Sequence, residues 1–458
     1  MTFESMADAL NLTLVGPDGT FPQTLRVDSR QVAPGEGFAA FEGAHVDGHD
    51  YIEQAIRQGA KLIVARRDRL AQGLTAKYRD VSFLLVEGPT DVALAQMAKT
   101  YLASLPALKS IAAITGSVGK TSTRSFLTQI LSTRRCVHSS QGNYNTLIGC
   151  AVTALAAPLD TQILVLEMGA NHPGEIAQMV EYFPPSVACI TEVAPAHLEG
   201  FGSLEGVLAA KCEILTSSQL RAAVINGDNE RLAYRAPQMT DVPLVTVGEQ
   251  GTLSFSHPRI SWADGYHTEA TLSLVGVELP LHSRVSGEQN LYPLACAVAM
   301  ALQLGMPFGD AVAAAATLGS LPGRGEVTAL SSGAWLIDES YNASPKSMEA
   351  AIHALCQVEV PGRKIVLLGD MYELGEGTTA AHRSIFEEAK NCGFDWLRLW
   401  GEGWEKLPEA QAFRLREWEE LENKLRDLNL GKGDVMLIKG SHASGLGEVV
   451  AGLKGEAK

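Results

Sequence analysis

The chain has 458 residues, too many for one ordinary domain, and at about 150 residues per domain it should contain three. Its 46% hydrophobic and 19% charged residues exclude a disordered chain. With 37 basic against 52 acidic residues, a net charge of −15 and no basic run, the composition excludes nucleic acid as a partner. The seven cysteines are widely spaced and include no CxxC pair, which predicts thiols in a reducing cytoplasm rather than disulfides.

The first section, residues 1–85, is predicted to be a small α/β domain. It contains the tripeptide Asp28-Ser29-Arg30, followed by a Pro-Gly turn. Apolar runs bounded by turn residues predict strands at residues 38–41, 61–65 and 82–86, with a helix at about 51–58. A further helix, at about 90–104, leads into the next section.

The second section, residues 86–319, predicts a mostly parallel sheet with helices on both faces. Its continuous apolar runs suit strands at residues 111–114, 163–166, 187–190, 222–225 and 244–247. Residues 252–285 alternate between polar and apolar and predict an antiparallel edge. The apolar stretch at 291–305 contains Pro293 and is too short to span a bilayer, so we expect a buried helix and no membrane insertion.

The third section, residues 320–458, repeats the alternation of short apolar strands with helices and predicts a second, smaller parallel sheet of Rossmann-like character. Its expected strands lie at residues 335–337, 364–368, 396–400 and 435–438. The overall prediction is an α/β protein of three domains.

The strongest motif is a strand that runs through a glycine loop into a helix. Its residues are Thr115, Gly116, Ser117, Val118, Gly119, Lys120 and Thr121. Backbone N–H groups at such a helix start bind phosphate, the lysine reaches the β- and γ-oxygens, and the threonine hydroxyl ligates Mg²⁺. The glycine that the general P-loop pattern places five residues before Gly119 is replaced by Ile114, so the loop is a shortened variant. A plain structural turn is the alternative.

Three further residues lie where such a site would need them. Glu167 directly follows the predicted strand at 163–166, as a Mg²⁺-binding carboxylate would. His197 follows the next strand in the same way, at the sheet edge where α/β ligands gather. Lys211 lies in a helix predicted at 208–214. Taken alone, each is equally typical of a solvated strand end, a structural histidine or an ordinary helix lysine.

Polar loops follow other elements. Gly142 to Thr146 lies after the phosphate-loop helix, Asp338 to Pro345 follows one strand of the third section, and Gly369 to Gly375 follows another. Because the carboxyl ends of parallel strands meet at one edge of a sheet, the last two segments predict a ligand-facing edge. Helix N-capping by Asp and Asn is the alternative for part of this pattern.

Together these motifs resemble the Mur ligases, the ATP-dependent ligases of peptidoglycan synthesis. The resemblance covers nearly the whole chain. It rests on the segments 28–30, 116–121, 167–175, 196–206, 321–324, 340–343, 369–375 and 439–441. The strings AHLEGFGS at 196–203 and GDMYELG at 369–375 are similar to those of members that add D-alanyl-D-alanine to UDP-N-acetylmuramoyl-tripeptide.

The resemblance implies three domains: 1–85 binds the UDP end of the substrate, 86–319 binds ATP, and 320–458 closes over ATP and binds the dipeptide. It implies ATP and Mg²⁺ as cofactors, an acyl-phosphate intermediate, and a cytoplasmic enzyme that we expect to be a monomer. The third residue of the acceptor peptide, diaminopimelate or lysine, stays open.

The resemblance also implies roles for individual residues. Thr121, Glu167 and His197 match metal positions, as does Lys211, whose family counterpart is carbamylated. The catalytic residues that the resemblance implies are Lys120, Lys211, His197 and Glu167. The remaining matches are the nucleotide positions Asn290, Arg324, Asp338 and Asn342 and the substrate positions Ser29, Arg30, Asn143, Asn145 and Thr146.

The sequence departs from the family pattern at Gln289, Pro293 and His442, where a histidine, an asparagine and an arginine are usual. Two alternatives follow. One is a related ligase acting on a different UDP-peptide or on a folate, although the folate enzymes lack the Asp-Ser-Arg domain. The other is a nucleotide-binding scaffold without catalysis.

Overall fold

The computed structural model describes residues 1–21, 24–43, 46–195 and 198–455. The chain divides into two compact units, one formed by Met1–Thr246 with Ala299–Met306 and the other by Val247–Val298 with Pro307–Lys458. No helix in the described ranges has both the length and the apolar character needed to cross a membrane.

The N-terminal part is an α/β domain, as predicted. Its sheet has the order β1-β5-β4-β3-β2, in which β1 is antiparallel to β5 and the other neighbours are parallel. Its central strands β4 and β5 are buried at every position except Arg66, which is why their apolar runs could be recognised in the sequence. The elements are α1 (Phe3–Leu10), β1 (Thr13–Val15), β2 (Leu25–Arg26), β3 (Gly37–Ala39), α2 (Ile52–Arg57), β4 (Leu62–Arg66), α3 (Leu74–Lys77) and β5 (Ser82–Val86).

The central part contains the predicted parallel sheet. Strands β10-β9-β6-β8-β7 lie side by side in that order and are parallel, and β11 lies beyond β10. The strands are β6 (Ser110–Thr115), β7 (Val137–Ser139), β8 (Ile163–Glu167), β9 (Val187–Ile190), β10 (Ala222–Asn226) and β11 (Leu244–Val247). The helices are α4 (Thr90–Ala103), α5 (Lys120–Ser132), α6 (Leu147–Leu155), α7 (Glu175–Tyr182), α8 (Leu198–Phe201), α9 (Leu204–Cys212) and α10 (Glu230–Arg235).

The helix that carries Lys211 differs from its prediction at both ends. It is α9, Leu204–Cys212, instead of 208–214. Ser203 begins it by accepting a hydrogen bond from the N–H of Gly206 at 3.1 Å, as N-cap serines do. The residues after Cys212 tighten into a 3₁₀ turn.

The predicted antiparallel edge is confirmed as a meander of β12 (Leu253–Trp262), β13 (Tyr266–Leu274) and β14 (Val277–Ser283). The helices α11 (Leu291–Gln303) and α12 (Phe308–Ala316) follow. Residues Leu294 to Ala301 of α11 are fully buried, in agreement with the expected core helix.

The C-terminal part is the second parallel sheet, with the order β15-β16-β20-β17-β18-β19; only β15 is antiparallel to its neighbour. The strands are β15 (Glu326–Ala329), β16 (Trp335–Glu339), β17 (Lys364–Leu368), β18 (Trp396–Trp400), β19 (Arg414–Leu415) and β20 (Val435–Lys439). The helices are α13 (Pro345–Gln357), α14 (Thr378–Asn391), α15 (Trp418–Asp427) and α16 (Leu446–Lys454).

Candidate active site

The glycine loop connects β6 to α5 as the sequence predicts. Gly119 precedes the first residue of α5 with φ of 87°, a left-handed conformation that glycine adopts without strain. The Nζ of Lys120 donates a hydrogen bond to the carbonyl of Gly116 at 2.7 Å, so the ammonium lies against the loop. A lysine held there, beside the N–H groups that begin a helix, is suited to neutralising a phosphate.

The segment after β9 supports this loop through hydrogen bonds. Sequence reasoning did not identify this support. The hydroxyl of Thr191 donates to the carbonyl of Val118 at 2.6 Å. The N–H and hydroxyl of Ser117 donate to the carbonyls of Glu192 at 2.7 Å and Ala194 at 2.8 Å. Thr191 is an ordinary residue type in no motif; only its position directly after a strand of the same sheet pointed to the site.

Gly116 is the point of closest approach between the loop and this support. Its φ is 144°, and a Cβ there would overlap the hydroxyl of Thr191 and lie 3.0 Å from the N of Glu192. Gly174 also has a positive φ, 88°, but a Cβ there would meet nothing within 4 Å. Alanine at Gly174 would therefore introduce backbone strain alone, whereas alanine at Gly116 would introduce strain and a steric collision.

We expect Gly116→Ala to destabilise the protein by about 1–3 kcal/mol and to weaken ATP binding by about tenfold or more, because the loop must move away from Thr191. Gly174→Ala should show a smaller loss of stability and unchanged nucleotide affinity. Thermal unfolding and calorimetric titration with ATP measure both. Equal stability and affinity in the two variants would contradict the steric role of Gly116.

Glu167 lies at the end of β8, next to β6, with Ile114 as its partner in the parallel ladder. Its carboxylate is buried, accepts a hydrogen bond from the Nδ2 of Asn145 at 3.1 Å, and lies 3.4 Å from the Nε of Arg124 on α5. The structure thus brings Glu167 and Asn145 together, as expected for residues of one site. Arg124 was not singled out in the sequence, because a helix arginine has no distinguishing pattern.

Lys211 on α9 is almost completely buried, with 2% of its surface exposed. Its Nζ lies 5.3 Å from the ring centre of Phe201. Burial, and then the positive charge of Lys120, lower the pKa of Lys211 to about 7. The predicted site residue is therefore a lysine whose surroundings favour the neutral amine over the ammonium form. His197, the remaining predicted ligand, lies outside the described residues.

The residues present fit a Mg²⁺ ion whose remaining ligands are phosphate oxygens and water molecules. Within the described ranges, no group of three or more His, Cys, Asp or Glu side chains could hold a metal alone. The oxygen donors that the sequence predicts here are the hydroxyl of Thr121 and the carboxylate of Glu167; the Oε2 of Glu167 accepts no hydrogen bond from any described residue. Oxygen donors in this small number suit Mg²⁺, which keeps several waters.

The predicted substrate residues fall into two groups. Ser29 is buried and donates to the Oε1 of Gln54 at 3.2 Å, whereas Arg30 is exposed and forms an ion pair with Asp28 at 2.8 Å. Asn143 is exposed, and Thr146 accepts the N–H of Gly149 at 3.3 Å as the N-cap of α6. Ser29, Arg30 and Thr146 therefore have partners within the structure, and Arg30, Asn143 and Thr146 are exposed to solvent.

The four predicted nucleotide-binding residues of the second compact unit make the following contacts. The buried Asn290 donates to the carbonyl of Ser286 at 2.7 Å. Arg324 lies over the ring of Tyr341 at 4.7 Å. Asp338 accepts the N–H of Gly323 at 3.2 Å, and Asn342 accepts the Nζ of Lys439 on its carbonyl at 3.1 Å.

A cavity of about 740 Å³ opens at the carboxyl ends of β17, β18 and β20. Its walls include the segment 370–375, which the sequence indicated, and the segment after β18, which it did not. Both signs of charge line the cavity: the cations are Lys406, Arg414 and Arg416, and the acids are Glu373 and Glu402, with Asp370 buried in the wall. Such a surface suits a small zwitterion.

A glycine loop at the start of α5, with a buried carboxylate at the end of the neighbouring strand, defines a nucleotide-binding α/β protein of the P-loop class. Family models match three segments of the chain: Mur ligase family, catalytic domain, at 23–99; Mur ligase middle domain, at 114–301; and Mur ligase, glutamate ligase domain, at 323–442. The three segments give the expected three-domain architecture.

Similar proteins cover almost the whole chain. The UDP-N-acetylmuramoyl-tripeptide–D-alanyl-D-alanine ligase of Escherichia coli is 31% identical over 99% of this chain and 98% of its own. MurF from Thermotoga maritima, solved in complex with ADP, is 29% identical with a TM-score of 0.77, covering 94% of this chain and 97% of that one. MurF from Acinetobacter baumannii has a TM-score of 0.82 at 24% identity, covering 99% and 98%. The chain belongs to the Mur ligase family of ATP-dependent ligases.

Proposed function

We propose that the protein joins D-alanyl-D-alanine to UDP-N-acetylmuramoyl-tripeptide, with cleavage of ATP to ADP and phosphate, in the synthesis of peptidoglycan precursors. The observation that carries this proposal is the full-length similarity to ligases named for that reaction, at 31% identity in the E. coli relative. The phosphate loop with Lys120, the buried Glu167 and a cavity lined by both signs of charge are parts that such a reaction can use.

The reaction needs two steps, because a carboxylate is a poor acylating agent. A carboxylate oxygen of the tripeptide attacks the γ-phosphorus, ADP leaves, and an acyl phosphate forms. The dipeptide nitrogen then attacks the acyl carbon, phosphate leaves, and the ammonium proton is released. Two anions approach each other in the first step, so the Lys120 ammonium lowers the barrier by stabilising charge at the phosphate. Mg²⁺ held by Thr121, Glu167 and His197 would supply further positive charge there.

Lys211 is proposed to carry a carbamate, formed when its nitrogen attacks CO₂ and releases a proton. Two features of the described residues support this. The side chain is buried, which disfavours the ammonium form, and the positive charge of Lys120 acts on it. Carbamylation would turn this amine into an anion, and the charge of Lys120 that disfavours the ammonium form would then attract it.

The proposed division of labour follows the three matched segments. Residues 1–85 bind the UDP end of the substrate with Ser29 and Arg30, and 86–319 bind ATP. Residues 320–458 close over ATP, with Arg324 among the nucleotide contacts, and bind the dipeptide in the cavity beyond β17 and β18. We further propose that the enzyme works as a monomer in the cytoplasm, the compartment that supplies ATP and keeps its cysteines as thiols.

Phosphate release tests the function directly. With ATP, Mg²⁺, UDP-N-acetylmuramoyl-tripeptide and D-alanyl-D-alanine, we expect continuous release of phosphate and a product whose mass includes both peptides. Parallel reactions with the diaminopimelate and the lysine tripeptide identify the acceptor. L-Alanyl-L-alanine, which has the same charges, is the control. Release that needs no dipeptide, or none in conditions where another Mur ligase is active, would refute the proposal.

A further inference from the structure

Asp370, which follows β17, joins three loops at the carboxyl edge of the second sheet. Its carboxylate accepts the N–H of Glu402 at 2.9 Å and the N–H of Gly403 at 3.0 Å, both in the loop after β18. Its carbonyl accepts the N–H of Ser441, after β20, at 3.0 Å. The residue is 2% exposed, so its carboxylate is directed at protein and not at solvent.

The loop after β18 wraps closely around this carboxylate. Gly401 has φ of 117°, and a Cβ there would overlap the carboxyl group of Asp370. A Cβ at Gly403 would overlap the Nε2 of His382 and lie 2.9 Å from the Oδ1 of Asp370. The loop therefore reaches its position because two glycines leave room for the two side chains beneath it.

His382 on α14 completes the support. It is fully buried, its Nε2 accepts the N–H of Met371 at 3.2 Å, and its Nδ1 therefore carries the proton that is donated to the carbonyl of Thr378 at 2.8 Å. The ring packs edge-on against Trp404, with centroids 4.6 Å apart. The ring of His382 thus contacts both the segment after β17 and the loop after β18.

This support lies directly under the cavity of about 740 Å³, whose walls contain Asp370, Met371, Gly401, Glu402 and Gly403. A buried carboxylate is costly unless N–H donors satisfy it, and burial accordingly raises the pKa of Asp370. Two backbone donors from a loop without strand or helix structure satisfy it here. Such contacts fix the conformation of the loop, and a loop that forms the wall of a binding site needs a fixed conformation.

We propose that Asp370 is a positioning residue for the acceptor: by binding the N–H groups of Glu402 and Gly403, it fixes the cavity wall that receives the dipeptide. The inference rests on the proposed function, because it takes this cavity as the dipeptide site. Asp370 acts through the loop and needs no contact with the nucleotide or with the acyl phosphate. Its removal should therefore affect the dipeptide and leave the first half of the reaction intact.

The test is Asp370→Asn in the full-length protein. The amide has one acceptor oxygen, and its NH₂ would face the second N–H, so the loop loses at least one charge-assisted hydrogen bond. We expect the KM for D-alanyl-D-alanine to rise about tenfold to a hundredfold, with the KM for ATP changed by less than about twofold. ADP formation in a single turnover with UDP-tripeptide and no dipeptide should stay at the wild-type rate.

Gly403→Ala is the second variant, and it keeps every hydrogen-bonding group. Its added methyl meets His382 and lifts the same loop, so it should raise the dipeptide KM in the same way. Asp434→Asn is the matched control. Asp434 is also a buried acid that accepts backbone N–H groups, from Arg363 at 2.9 Å and Gly431 at 3.0 Å, but it precedes β20 at the opposite edge of the sheet. It should lower the melting temperature and leave the dipeptide KM unchanged.

The outcomes separate the two proposals. Wild-type protein without dipeptide-dependent phosphate release refutes the function, whatever the variants do. Active wild-type protein, with an unchanged dipeptide KM in Asp370→Asn and Gly403→Ala, overturns the positioning role. An equal rise of the dipeptide KM in Asp434→Asn also overturns it, since the effect would then reflect general loosening of the domain. Should Asp370→Asn fail to fold, Gly403→Ala decides.

Discussion

Replacing Lys120 by alanine should reduce ATP-dependent phosphate release by about 10²–10³-fold or more, the loss expected when a preorganised charge is removed from a transition state. The structural reason is its position. The ammonium lies 2.7 Å from the carbonyl of Gly116, inside the loop that begins α5. No second lysine occupies this loop, whose residues between Thr115 and Thr121 are otherwise small or neutral.

Lys109→Ala is the matched control for this variant. Lys109 precedes β6, the strand that leads into the loop, and is exposed at the opposite end of that strand. The control removes the same charge from the same unit, so its turnover should remain near that of the wild type. Steady-state phosphate release and ATP titration of both variants measure the difference.

The variant also separates an enzyme from a nucleotide-binding scaffold. A scaffold would have no turnover to lose, and Lys120→Ala would then change only ATP affinity. Wild-type turnover in Lys120→Ala would contradict the role of the loop altogether. A further consequence follows from charge: because Lys120 contributes to lowering the pKa of Lys211, its removal should raise the pKa of Lys211.

Much of the fold could be predicted because its central strands are buried on both faces. The strands at Ser82–Val86, Val187–Ile190 and Lys364–Leu368 have the predicted bounds, since every position along them except Lys364 is buried and the apolar run is unbroken. The strands that escaped prediction are short and half-exposed. In β1 and β7 no residue is fully buried, so no apolar run marks them.

The residues of the candidate site also divide into those whose positions could be predicted from the sequence and those whose positions could not. The places of Lys120, at the start of α5, and of Glu167, at the end of β8, could be predicted because phosphate loops and strand-end carboxylates have a fixed position in a parallel sheet, and β6 and β8 are neighbours in which Ile114 pairs with Glu167. Thr191, Arg124 and the contacts of Asp370 and His382 at the cavity could not be predicted. Asp370 meets Gly403, 33 positions further along the chain, and neither residue type alone indicates the contact. Such pairs are set by the path of the backbone and not by a local pattern.

Lys211→Met should make the protein more stable near neutral pH while reducing turnover by about 10²-fold or more. Methionine has a similar length but no charge, and the site of Lys211 is 2% exposed. In the wild type, burial penalises the ammonium form, which is why the pKa of Lys211 falls from 10.5 to about 7. The variant removes that penalty together with the amine from which the proposed carbamate would form.

The pH dependence has a definite sign. Between about pH 7 and 10.5 the unfolded chain holds a proton on Lys211 that the folded protein has released, so wild-type stability rises with pH in this range. As pH falls from 10.5 to 7, the wild type loses stability relative to the variant, by on the order of 1.4 kcal/mol for each pH unit. Because the folded amine is still partly protonated near pH 7, the difference between the two proteins should change by about 2 kcal/mol between pH 7 and pH 9.

Melting temperatures of both proteins across this range, in buffer depleted of carbon dioxide, measure the effect. Lys99→Met is the matched control, since Lys99 also lies over an aromatic ring, that of Tyr182 at 5.9 Å, but is exposed. Its melting curve should stay parallel to that of the wild type. Added bicarbonate should stabilise the wild type and leave Lys211→Met unchanged, because only a lysine forms the carbamate. Parallel pH profiles for wild type and Lys211→Met would show that Lys211 is protonated in the folded protein, and the carbamate would then have no neutral amine from which to form.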